Sequence, residues 1–257
     1  MDTTVWIQPA VGAAALALVF AGAWLRQRQT RNAGLVDVLW TVSVGGLGVT
    51  WCLLGTGWAP RRGLVAALVG LWSVRLAVHL AHRVLSEPED GRYRRMRETF
   101  GERFDAFMVG FFQAQALLAV LLSLPMLVLA QAPEAGWRAT DAAAVGLWIV
   151  SWAGESLADR QLAAFRARPE NRGRTCREGL WSWSRHPNYF GEIVLWTGVA
   201  LIAAPALQGW QYATLISPLF VTILLTMGSG IPLLEDRADE VWGGQPDYEA
   251  YKASTPS

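Results

Sequence analysis

Seven apolar blocks of roughly membrane-crossing length dominate the 257 residues: Val5–Leu25, Ala33–Leu54, Gly63–Ala81, Phe107–Ala130, Ala142–Leu157, Tyr189–Ala204 and Gln211–Ile231. A helix needs ~20 predominantly apolar residues to cross the hydrocarbon of a bilayer. Buried strands would show alternation, which these blocks lack, and only segments with internally satisfied backbones can cross lipid. The expected fold is therefore an all-α integral membrane protein of about seven transmembrane helices, forming one transmembrane domain over residues 1–257. Residues 1–106 would form its N-terminal side and 107–257 its C-terminal side. The first block has neither a charged leader nor a small-residue cleavage site, so it reads as a retained helix.

Net charge is +1, but its distribution is uneven. Arg26, Arg28 and Arg31 follow the first block. Arg83, Arg92, Arg94, Arg95, Arg97 and Arg103 follow the third. Arg160, Arg166, Arg168, Arg172, Arg174, Arg177 and Arg185 follow the fifth. The opposite side offers Arg61, Arg62 and Arg138. Basic loops stay cytoplasmic, which predicts an outside N-terminus and a cytoplasmic C-terminus. Basic loops beside membrane lipids account for the charge without nucleic acid as a partner. Cys52 falls in the second block and Cys176 in a cytoplasmic loop, so no disulfide is expected. His79 and His82 are three apart on one helix but share no metal spacing with His186, and no metal is expected.

Polar residues inside the blocks are costly and mark structural pairs or a polar cavity. Asp37 lies about a turn inside the second helix. It suits either an ion pair with an arginine of a neighbouring helix or the lining of a cavity. Gly45, Gly46 and Gly48 of the same helix permit close helix approach. Arg75, His79, His82 and Arg83 recur at three- and four-residue spacing on one face of the third helix. The charged loop 87–105 predicts an amphipathic helix with Tyr93, Met96 and Phe100 against the membrane interface. Glu155 and Asp159 are stacked four apart on the fifth helix.

The densest polar stretch is Gly179 to Ala200, GLWSWSRHPNYFGEIVLWTGVA. Pro187 suits the first helical turn, and Asn188 to Glu192 then occupy the opening turns, where backbone N–H groups lack partners. Cationic side chains beside a helix N-terminus make an anion site, which predicts a phosphate-bearing ligand. The 14 tryptophans, many at block ends, suit interfacial belts.

Gly179-Leu-Trp with Ser184-Arg-His-Pro-Asn-Tyr-Phe-Gly-Glu192 resembles the C-terminal signature of the steroid 5α-reductase superfamily, closest to a bacterial branch. Asp37-Val-Leu-Trp40, Arg92-Tyr93, Gln113, Glu155 with Ala158-Asp-Arg-Gln161, Ser229-Gly-Ile-Pro-Leu-Leu-Glu235, and Tyr248 with Tyr251 match in the same order. The resemblance implies seven helices and an NADPH-dependent reductase that transfers hydride to the C=C bond of an α,β-unsaturated lipid or steroid-like substrate. It implies that Asn188 and Glu192 bind NADPH, with His186 and Tyr189 in the same stretch. Glu155 and Asp159 resemble positions holding the nicotinamide half and ribose. Arg166 and Arg185 suit its phosphates, and Tyr248 and Tyr251 resemble tyrosines that close over it. Asp37, Arg75 and His79 would act on the substrate. The helix-2 Gln-Glu pair of steroid reductases is absent, and Trp72 falls near their helix-3 tyrosine. Arg-His-Pro followed by Tyr and Gly also resembles membrane methyltransferases such as isoprenylcysteine carboxyl methyltransferase, which bind S-adenosylmethionine; Glu235, Tyr248 and Tyr251 suit that alternative. A lipid-binding scaffold is the non-enzymatic one.

Overall fold

The structure is a computed structural model that describes residues 7–228 and 230–257, apart from the side chain of Trp210. Val5 and Ser229 of the sequence reading lie outside the described residues. Long elements among those described are all helical: α1 (Ile7–Thr30), α2 (Leu35–Leu54), α3 (Ala59–Ser86), α4 (Gly91–Phe100), α5 (Phe104–Leu129), α6 (Ala139–Ala167), α7 (Pro187–Ala203), α8 (Ile216–Met227), α9 (Ile231–Trp242) and α10 (Pro246–Ser254). Six helical stretches are long and apolar enough to cross a membrane: Ile7–Thr30, Leu35–Leu54, Ala59–Ser86, Gly91–Leu129, Pro187–Ala206 and Gln211–Trp242. The protein is thus an all-helical, multi-pass membrane protein. α6 has the length, at 29 residues. Glu155 and Asp159 dilute the apolar run that the sequence places there.

The helices gather into two compact units, one of residues 1–136 with 206–214, the other of residues 137–205 with 215–257. In the first, α2 packs on both α3 and α5, and α1 packs on α5. Phe20, Val36, Tyr93, Phe104, Met108 and Phe112 form a buried cluster where α1, α2, α4 and α5 meet. Tyr93 and Met96 face this cluster rather than the membrane interface, because Tyr93 packs edge-on against Phe111 of α5. Phe100 alone of the three remains half-exposed, stacked on Phe107 at 4.0 Å.

α2 approaches its neighbours through small and hydroxylated residues. Gly45 lies directly against Ser73 of α3, and Gly48 against Val69 and Met126. Ser73 Oγ donates to the Thr41 carbonyl at 3.0 Å, and Trp51 Nε1 donates to Ser123 Oγ at 2.9 Å. At the α2–α3 turn, Gly57 N and Trp58 N donate to the Ala130 and Ala132 carbonyls. Arg61 is 2% exposed, and its guanidinium donates to the Glu134 and Gly136 carbonyls. Arg62 donates to the carbonyls of Cys52 and Gly57. These arginines are thus tied to loop backbone as well as carrying charge.

In the second unit α6 pairs along much of its length with α7, and α7 with α8. Gly191 receives Glu155 of α6, and Gly198 lies against Ala144 and Leu147. Ser151 Oγ donates to the Gly191 carbonyl.

The contacts of two adjacent glycines make a controlled test of this packing. Gly45→Ala places a methyl group inside Ser73, whereas a methyl group at Gly46 meets nothing within 4 Å. Overpacking costs about 1–3 kcal/mol, while Gly→Ala in an open helix interior gains up to about 1 kcal/mol. Unfolding followed in detergent should therefore show Gly45→Ala melting below the wild type and Gly46→Ala at or above it. Equal midpoints would contradict the close α2–α3 contact.

Candidate functional site

The signature stretch is fixed to the end of α6 before α7 begins. Gly179 has φ +59°, in the left-handed region, and a Cβ there would run into Gln161. That close approach lets Gln161 Oε1 accept from Leu180 N at 2.9 Å. Trp181 Nε1 donates to the Ala158 carbonyl at 2.9 Å. Ala158, Phe165, Cys176 and Trp181 form the small apolar cluster beneath. Burial pushes the Cys176 thiol upward in pKa, so it stays protonated.

His186 is the N-cap of α7, and Pro187 opens the helix, where a missing N–H costs nothing. No side chain caps the first turn. His186 Nε2 lies 2.6 Å from Glu235 Oε1 of α9, and Arg185 Nη1 lies 2.9 Å from Glu235 Oε2. One carboxylate therefore joins two consecutive residues of the signature. Burial lowers the His186 pKa, outweighing the hydrogen bond to Glu235, which favours protonation. In the neutral ring Nε2 carries the proton that Glu235 accepts, and Nδ1 is the acceptor.

Arg185 is incompletely satisfied. Its Nη1 has an ion-pair distance to Glu235 without hydrogen-bond geometry, and both Nε and Nη1 are buried without a hydrogen-bond partner among the described residues. Buried donors of this kind are rare and call for an explanation. Tyr189 stacks on His186 with centroids 6.0 Å apart. Asn188 Oδ1 accepts from Tyr189 N at 3.1 Å, and Glu192 Oε1 accepts from Trp196 Nε1 at 2.9 Å. Glu155 is 2% exposed beside Gly191, Asp159 is half-buried one turn further along α6, and Arg166 is exposed near its end.

The tail returns to the same segment. Pro256 O accepts from Arg185 N at 2.8 Å, and Tyr251 OH donates to the Trp181 carbonyl at 2.6 Å. Burial pushes the Tyr251 hydroxyl up to about 12. Tyr248 OH donates to Asp239 Oδ1 at 2.6 Å, and Lys252 Nζ reaches both oxygens of the same carboxylate at 2.7 Å. Both tail tyrosines are buried with their hydroxyls bonded inside the protein.

Within the second unit, then, Arg185, His186, Tyr189 and Glu235 meet directly, and Glu155 lies at Gly191 one turn along. The sequence reading gave Glu235 no part in the NADPH site, although it closes the Ile-Pro-Leu-Leu-Glu motif and suits the methyltransferase alternative. Asp239 and Lys252 were missed because nothing in their spacing announces a partner.

Asp37 belongs to a different cluster, in the first unit. Its Oδ2 accepts from Arg92 Nη2 at 2.9 Å and its Oδ1 from Tyr93 OH at 2.6 Å. Arg92 Nε also donates to Asp90 Oδ1 at 3.1 Å, and Arg83 Nη2 to Asp90 Oδ2 at 3.0 Å. Burial alone would raise the Asp90 pKa, but Arg92 and Arg83 together hold it below the usual range. Arg75 and His79 lie half-buried one turn apart on α3. Among the described residues no group of His, Cys, Asp and Glu could hold a metal ion.

Among curated proteins, the chain is similar to the "Uncharacterized protein C594.04c" of Schizosaccharomyces pombe (strain 972 / ATCC 24843), at 28% identity. The match covers 70% of this chain and 61% of that protein, so the chain spans less than two thirds of its relative. No solved structure matches. A family model fits residues 23–255, nearly the whole chain, and the protein therefore belongs to the family described as "Protein of unknown function (DUF1295)".

Proposed function

We propose that the protein is an NADPH-dependent membrane reductase acting on the C=C bond of an α,β-unsaturated lipid or steroid-like molecule. The resemblance of the 179–192 stretch and its companion motifs to the steroid 5α-reductase superfamily suggests this reading. The observation that carries it is that Arg185, although ion-paired with Glu235, keeps two buried nitrogens, Nε and Nη1, without a hydrogen-bond partner among the described residues, beside the uncapped start of α7. A phosphate oxygen satisfies such donors, and a helix N-terminus favours the same charge.

The residues fit the cofactor in kind. Arg185 and Arg166 offer cations for phosphates, Asn188, Glu192, Glu155 and Asp159 offer polar groups to its sugar and amide, and His186 and Tyr189 offer ring faces. Tyr248 and Tyr251 support the site by fixing the tail, since their hydroxyls are engaged. Bound NADPH supplies the hydride; the chain orients the partners and excludes water. In this reading Asp37, Arg75 and His79 stabilise the developing enolate oxygen, the electrostatic contribution that usually dominates such steps. In this reading α6 is a seventh span that carries Glu155 and Asp159 within it. The N-terminus is outside, and the basic loops and C-terminus face the cytoplasm of a bacterial cell.

One observation also favours the S-adenosylmethionine-dependent alternative. Glu235, part of the resemblance to membrane methyltransferases, bonds directly to Arg-His of the shared signature. Ligand-dependent unfolding separates the two, because a ligand that binds only the folded state raises its midpoint. The detergent-solubilised protein, freed of any cofactor carried from the cell, should be stabilised by NADPH and not by S-adenosylmethionine. The opposite pattern would replace the reductase with a methyltransferase, and no shift with either would leave the lipid-binding scaffold.

Asn188→Ala should lose the NADPH-dependent shift while melting near the wild type without ligand, and Glu192→Ala should lose it too, from a lower midpoint because Trp196 Nε1 loses its acceptor; a retained NADPH-dependent shift in both would remove the cofactor assignment. Asp37→Asn should cut turnover at least tenfold, ~1.4 kcal/mol in the barrier, with the NADPH shift unchanged. A normal rate would confine Asp37 to its structural pair with Arg92.

A further inference from the structure

We propose that the end of α1 carries a second anion site, which takes the phosphate ester of an acidic membrane lipid. An open cleft of about 430 Å³ lies in the first unit, lined by Leu25, Arg28, Gln29, Arg31 and Asp105. Neither the cofactor reading nor the Asp37 cluster uses it.

The level of the cleft suits a headgroup. Hydrocarbon ~30 Å thick is spanned by about 20 helical residues. Counted from Ile7, the apolar run of α1 ends at Leu25, and the arginines begin with Arg26. Leu25 is half-exposed and continues the exposed apolar face that includes Val11 and Leu18. A lipid chain lying on that face brings its phosphate to Arg28 and Arg31.

Charge at the cleft is unbalanced in the same direction. Asp105 is already held: Arg28 Nε lies 3.2 Å from Oδ2, Gln27 Nε2 donates to Oδ1 at 3.3 Å, and Trp24 Nε1 donates to the Asp105 carbonyl at 2.9 Å. Arg26 is engaged with the Gln29 side chain at 3.4 Å. Arg31 has no ion pair among the described residues. The lining therefore holds two guanidinium groups, Arg28 and Arg31, against the one carboxylate of Asp105, which Arg28 already engages, and a phosphodiester anion balances the charge left at Arg31. Guanidinium forks match phosphate oxygens in shape as well as charge.

The backbone adds an independent pointer. Arg31 is the one non-glycine residue with positive φ among those described, at +53°, where it ends α1 with its N–H donating to the Gln27 carbonyl at 2.8 Å. Helices commonly end with glycine in this conformation. An arginine that bears the strain is better explained by what its side chain does than by what its backbone prefers.

The test uses the full-length protein in a neutral detergent, titrated with short-chain phosphatidylglycerol, short-chain phosphatidylcholine or inorganic phosphate, with the unfolding midpoint as readout. Phosphatidylglycerol should raise the midpoint by several degrees and phosphatidylcholine should not. If inorganic phosphate at the same concentration gives no shift, the source is the lipid; if it matches, the same site takes free phosphate. Arg31→Gly relieves the backbone and removes the charge. It should melt at or above the wild type without additive, yet lose most of the anion-dependent shift. Arg28→Gln should weaken the shift as well, whereas Asp105→Asn should keep or enlarge it. Equal stabilisation by phosphatidylcholine, or an unchanged shift in Arg31→Gly, overturns the proposal.

Discussion

The carboxylate of Glu235 fixes the chemistry-bearing end of the second unit. It approaches a guanidinium and an imidazole that the chain places side by side at the start of α7. A carboxylate, an arginine and a histidine with at most a fifth of their side chains exposed are expensive alone, because each loses most of its hydration. Together they become tolerable, although the desolvation of all three consumes most of the attraction. The arrangement is therefore better understood as specifying geometry than as supplying stability. It ties α9 to the mouth of α7, holds the His186 ring in one tautomer, and leaves two Arg185 nitrogens with unused capacity. Without Glu235 the two side chains would lose the contact that orients them.

The first unit solves the same problem differently. Asp37, near the start of α2, is met by Arg92 and Tyr93 of α4, and Arg92 in turn by Asp90. Every oxygen of the Asp37 carboxylate has a donor, so this cluster is closer to complete than the one at Glu235. Hydrogen bonds to charged groups contribute ~1.5–3 kcal/mol each where they replace water well. The Asp37 cluster thus anchors α4, a helix of 10 residues that would be marginal in isolation. The two clusters differ in completeness: both Asp37 oxygens have a donor, whereas Arg185 keeps two buried nitrogens without a hydrogen-bond partner among the described residues. The Asp37 ion pair was one of two roles the residue type allowed from sequence, and the structure supplies its partner without testing a catalytic role.

Much of the helical framework was legible because the relevant signal is long. An apolar run of about 20 residues has few alternatives in a membrane, and α1, α2, α3, α5 and α7 coincide with blocks visible in the sequence to within several residues at their ends. What the sequence could not supply was pairing. Gly45 against Ser73, or Glu155 against Gly191, depends on rotation of one helix about its axis, which no local pattern encodes when the apolar face is broad. Tyr93 illustrates the limit. Its spacing suits an interfacial face, yet its partner Phe111 lies on another element, and the buried cluster takes it inward. The signature stretch was readable as a site because six polar or aromatic residues fall within nine positions. Asp239 and Lys252 were not, and Glu235 was visible only as part of the methyltransferase resemblance, because the partners of each are met only when α9 and α10 fold back.

That folding back explains why the short tail is ordered by few but specific contacts. α10 has nine residues and a single basic residue in its last turn, too little to hold a helix by propensity. Its hold comes from Tyr248 and Lys252 sharing Asp239, from Tyr251 reaching the Trp181 carbonyl, and from Pro256 accepting from Arg185. The Asp239 contacts join α10 to α9, while the other two join it to the segment that precedes α7. The tail therefore bridges the two sides of the Glu235 contact by a second route. A ligand that drew Arg185 away from Glu235 would still find the Arg185 backbone held by Pro256. The side chain can then change partners without the helix start moving, which is the condition for an arginine to serve an incoming anion while the fold around it stays in place.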